Sequence, residues 1–113
     1  MKQYTTPDQT AKLIELGFEK PKSSVECELP KGDWRIGQVG IRKAYSIGEL
    51  LSFLPKSIKA NDLFFTLCVY PSSGYWVVEY DDMAFGVQAR LCKDELIDAL
   101  YDMCAKLKEE GGI

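Results

Sequence analysis

The sequence predicts an α+β domain: an antiparallel three- to four-stranded sheet with helices on one face, in the order α-(β)-α-β-β-β-α. Three observations carry this. Leu63 to Leu91 holds the β-rich runs LFFTLCVY, YWVVEY and FGVQARL, whose alternate residues sort into an apolar and a mixed set. The run DELIDALYDMCAKL follows, with Leu96, Leu100, Met103 and Leu107 at helical spacing. Two capping boxes, Thr6-Pro7-Asp8-Gln9 and Ser46-Ile47-Gly48-Glu49, start helices upstream.

Taken in order, Thr6 caps a helix with Pro7 at its first position. That helix runs to about Leu16 and stops at Gly17, where Phe18 folds back on Leu13. Leu13, Ile14 and Phe18 are expected to dock it. Residues 19–33 are polar, with Val25–Leu29 as a short edge strand. Trp34–Ile41 (WRIGQVGI) reads as an irregular strand or a loop. A second helix covers Ile47–Leu54, buries Ile47, Leu50, Leu51 and Leu54, and ends at Pro55.

In the sheet, Pro71-Ser72-Ser73-Gly74 is expected as a four-residue hairpin loop, setting Tyr70 opposite Tyr75. Leu63, Phe65, Leu67, Val69, Trp76, Val78 and Tyr80 then share one face. Phe64, Thr66, Cys68, Tyr70, Tyr75, Val77, Glu79 and Asp81 share the other. The third strand places Phe85, Val87, Ala89 and Leu91 on one side and Gly86, Gln88 and Arg90 on the other. Asp94 is the expected N-cap of the last helix, with Ile97, Tyr101 and Cys104 widening its stripe. Gly111 and Gly112 stop it.

A chain of 113 residues is read as one domain, 1–113, with a core large enough to need no staples. No apolar run approaches the ~20 residues of a membrane span, and MKQYTTPDQT lacks an apolar signal core. The expectation is a cytoplasmic chain with no membrane partner. Cys27, Cys68, Cys92 and Cys104 match neither a zinc ribbon nor a CxxC pair, so they are expected reduced. Charge is uneven. Residues 1–60 carry ten Lys/Arg and seven Asp/Glu; residues 61–113 carry four and ten.

The chain has no histidine, which removes Cys–His and Ser–His–Asp chemistry. Cys27 lies between Glu26 and Glu28, which raise a thiol pKa and blunt its reactivity. No catalytic residue, metal site or cofactor is expected, and the chain reads as a non-enzyme. Three surfaces remain as binding candidates. The mixed sheet face offers Phe64, Tyr70, Tyr75, Val77 and Glu79 to a protein partner, self-association into a homodimer being one form of that contact. The plain alternative is that another segment of the chain covers it. Glu95, Asp98 and Asp102 share an outward helix ridge, either an acidic contact surface or a solvated face with Lys106 paired to Asp102. Arg35, Gly37, Gly40, Arg42 and Lys43 form a basic glycine-containing segment that could clamp a nucleic-acid backbone. Gln38 and Val39 between the glycines, and the acidic second half, weigh against that reading.

The segments TTPDQTAKLIELGF, AYSIGELLSFLPKSI, GYWVVEYDD and ELIDALYDMCAKLKEEGGI resemble a group of small uncharacterised proteins encoded by phages and integrated mobile elements of gut anaerobes. The likeness covers most of the chain and lies in helix starts and core positions. It implies a fold and transfers no catalytic residue. Gly74-Tyr75, Asp81-Asp82 and Glu95–Leu100 are similar, more loosely, to HicB-type antitoxins. The proline which that family carries in the acidic turn is absent here, and no DNA-binding helix-turn-helix or ribbon accompanies the match.

Overall fold

The computed structural model describes residues 1–28, 39–60, 62–82 and 86–113. Helix α1 spans Pro7–Leu16, strand β1 Ser23–Glu28, strand β2 Val39–Ala44 and helix α2 Ile47–Phe53. Strand β3 spans Ser57–Ala60, β4 Leu63–Ser72, β5 Tyr75–Asp82, β6 Gly86–Lys93, and helix α3 Leu96–Glu109. The fold is α+β, with two antiparallel sheets: the pair β1–β2 and a four-stranded sheet in the order β3-β4-β5-β6. Strand β3 is an addition to the expected set.

Both capping boxes close in full. The Thr6 hydroxyl accepts from the Gln9 amide and the Gln9 side chain accepts from the Thr6 amide. Ser46 and Glu49 repeat the arrangement at α2. At the end of α1, Gly17 takes a left-handed φ of 101°, its amide donates to Ile14, and the Phe18 amide donates to Leu13. Phe18 stacks at 5.1 Å on Phe53, tying α1 to α2. Ile14 and Leu51, expected to dock these helices, are instead exposed.

The β4–β5 hairpin departs from expectation. Ser72 pairs with Tyr75, so the loop is the two residues Ser73-Gly74 rather than four. Both have positive φ, 50° and 83°, the signature of a type I′ turn whose twist suits flanking strands. The register therefore moves by two residues, setting Tyr70 opposite Val77 and Leu67 opposite Tyr80. A shift of two preserves parity, so both faces keep their expected members. In β6 the register slips by one between Ala89, opposite Tyr80, and Val87, opposite Asp81. That bulge moves Val87 to the mixed face. Phe85 lies outside the described residues.

Helix α3 crosses β5 and β6 on the apolar face, and α1 and α2 pack against α3. Leu96, Ile97, Ala99, Leu100, Met103, Cys104 and Leu107 of α3 are buried with Phe65, Val78, Tyr80 and Ala89 of the sheet. The Tyr80 hydroxyl donates to the Pro55 carbonyl at 2.7 Å, which satisfies the one polar atom the ring buries. The N-cap of α3 is Glu95, not Asp94, and it makes no side-chain capping bond.

Candidate functional site: the outer sheet face

All three helices lie on the inner side of the four-stranded sheet. On the mixed face, here the outer face, no described element forms a layer. Phe64 on β4 is 64% exposed, Tyr75 on β5 51% and Tyr70 on β4 36%. Val87, carried here by the bulge, is also exposed. Pairing aligns the rows across this face: Thr66, Asp81 and Val87; Cys68, Glu79 and Arg90; Tyr70, Val77 and Cys92. Lys59 of β3 stands opposite Phe64, with its ammonium 5.9 Å from the ring centre.

Val77 and Glu79, expected to be exposed, are buried, Glu79 to 4%. They sit on β5, one of the two interior strands, and the side chains of β4 and β6 flank them on both sides. The Tyr70 hydroxyl donates to Glu79 Oε1 at 2.8 Å, and Arg90 Nε donates to Glu79 Oε2 at 2.6 Å. The hydrogen bond to Glu79 raises the Tyr70 pKa, and the same carboxylate raises that of Arg90. Glu79 therefore faces outward without offering a bare negative charge. The exposed apolar side chains of this face are Phe64, Tyr70, Tyr75 and Val87, and Glu79 holds Tyr70 and Arg90 in place.

The acidic ridge of α3 is engaged within the chain. Glu95 accepts from the Lys2 amide at 2.8 Å. Asp98 accepts from Gln9 Nε2 and pairs with Lys2 Nζ, both at 2.8 Å. Asp102 pairs with Lys93 rather than with Lys106, which bonds Glu110. Burial pushes the Asp98 carboxyl up, but its bonds from Lys2 and Gln9 outweigh that and hold it below its ordinary value. The ridge fastens the first residues and α1 to α3.

Of the basic segment, Arg35 and Gly37 lie outside the described residues. Gly40 pairs with Cys27 in the β1–β2 ribbon. Arg42 turns inward: its Nη2 donates to the Thr5 carbonyl at 2.8 Å, while Nη1 is buried with no hydrogen-bond partner among the described residues. Lys43 donates to the Lys22 carbonyl. Arg42 thus secures the ribbon base to the N-terminal segment, with its guanidinium engaged there rather than turned to solvent. Glu49 secures the other side of that base, accepting from the Lys22 amide and the Ser23 hydroxyl.

Cys68, Cys92 and Cys104 are free thiols. Burial lifts the Cys104 pKa to about 12, and its thiol donates to the Leu50 carbonyl, so it stays protonated in the core. Among the described residues no group of three or more Cys, Asp or Glu side chains could hold a metal ion. No described helix is long and apolar enough to cross a membrane. No protein-family model, curated protein or solved structure matches the chain.

Proposed function

We propose that the chain is a non-enzymatic binding protein of phage or mobile-element type that acts through protein–protein contact on its outer sheet face. The observation that carries this reading is an apolar and aromatic sheet face with no described element packed over it. A four-stranded sheet covered on one side only buries its aromatics on that side and turns polar residues to water on the other. Here the watered side carries Phe64, Tyr70, Tyr75 and Val87, the residue types enriched at the cores of protein interfaces. Nucleic-acid binding through residues 35–43 is the weaker reading, because Arg42 is spent on Thr5 and the sheet face carries Asp81 beside its aromatics.

The test is affinity capture from lysate, with nuclease added, using the wild-type chain and a Tyr70→Ala/Tyr75→Ala variant as bait. A protein held by the wild type after nuclease, and lost from a variant with unchanged circular dichroism, is the expected result. Identical captures by both baits would rule the face out.

A further inference from the structure

We infer that the occupant of the outer sheet face is a second copy of this chain, a conclusion that rests on the contact reading above. Two properties of the face point to self-association rather than to a partner of opposite charge. The first is its charge balance. The chain carries a net −3, but the charges of this face are close to balanced: Lys59 pairs with Asp62 at its edge and Arg90 with Glu79, with Asp81 beside them. Glu79 and Arg90 already neutralise one another at 2.6 Å. A nearly neutral face on an acidic protein gives a basic partner little attraction. It also lets two like copies meet there without the repulsion their remaining surfaces would impose.

The second property is size. Strands β3 to β6 contribute 4, 10, 8 and 8 residues. At ~3.3 Å per residue and ~4.8 Å between strands, that is about 500 Å² of plane per copy, or about 1,000 Å² for two. An area at the lower bound of specific interfaces fits a weak, concentration-dependent dimer of two sheets packed face to face. The helices of each copy lie on the far side and do not obstruct the approach.

Sedimentation velocity of the purified chain over a concentration series tests this, with Phe64→Glu and Tyr75→Glu as face variants at exposed positions. The expected result is a mass rising from one chain toward two in the wild type and staying at one chain in both variants. A second readout uses the wild type alone: maleimide labelling at Cys92, located by peptide mass mapping, should slow as concentration rises. A monomer at every concentration overturns the inference yet leaves the face reading to the capture experiment. A dimer that persists in both variants, with Cys92 labelling unchanged, overturns it by placing the contact elsewhere.

Discussion

At Glu79 the chain turns a carboxylate out of a sheet and then closes it over with Tyr70 and Arg90. Strand alternation identified which face each of these residues occupies. It carried no information about depth, because depth depends on which strand is central. Val77 and Glu79 are buried for that reason, while Phe64 and Tyr75, near strand ends, are open. The partners of the α3 carboxylates were equally hidden. Lys2 and Gln9 reach Asp98 across 96 and 89 positions of sequence, whereas spacing rules see only three or four. The Asp98 arrangement has a consequence for acid stability. Its pKa is lower folded than unfolded, so its contribution is present above the unfolded value, about 4, and is lost as pH falls through the folded one. Asp98→Asn should therefore lower stability at neutral pH, and the gap to the wild type should close on acidification. Urea unfolding at a series of pH values measures this; a gap that widened in acid would be inconsistent with it.

At the scale of elements, the capping boxes, the α3 stripe and the strand runs were legible because each is a local pattern with one period. The β4–β5 turn was not, because Pro71 invites a loop. Its place in a strand has a physical reason. The pair next to a two-residue turn, Ser72 and Tyr75, is the hydrogen-bonded one, so the following pair, Pro71 and Trp76, is not. The Pro71 nitrogen then points away from β5, to an edge where β3 pairs only as far as Thr66. A missing donor costs nothing there, and the proline guards an open edge. The turn itself yields a prediction. Gly74→Ala should cost about 1 kcal/mol, since alanine pays for left-handed φ, while Ser73→Asn should raise stability by a few tenths of a kcal/mol. Thermal unfolding of the two variants measures both. Equal stability for wild type and Gly74→Ala would contradict the turn assignment.

For the molecule as a whole, three helices on one side of a four-stranded sheet leave the second side to be explained. The predicted α+β class and the parity of β4 and β5 are found in the structure, while the β6 bulge moves Val87 across, and they set this question up. What sequence alone did not settle was whether residues 1–44 fold over that side. The described residues 1–28 and 39–44 do not, for a reason visible in their contacts: Lys2 and Gln9 hold the N-terminal segment to α3, Arg42 holds the ribbon base to Thr5, and Glu49 holds Lys22 and Ser23. Every one of these ties draws the N-terminal segment, α1 or the base of the ribbon toward the helices. The face of Phe64, Tyr70, Tyr75 and Val87 stays open, and a contact surface is the function this account gives it.

The most direct test is a residue-resolved NMR comparison of the isotopically labelled chain, dilute and concentrated, at one pH and ionic strength. The account predicts shift changes clustered on Phe64, Thr66, Tyr70, Tyr75, Val87 and Arg90, with α3 and the β1–β2 ribbon unmoved. Changes centred on α3 or on the ribbon would contradict it, and no change anywhere would contradict self-association through that face.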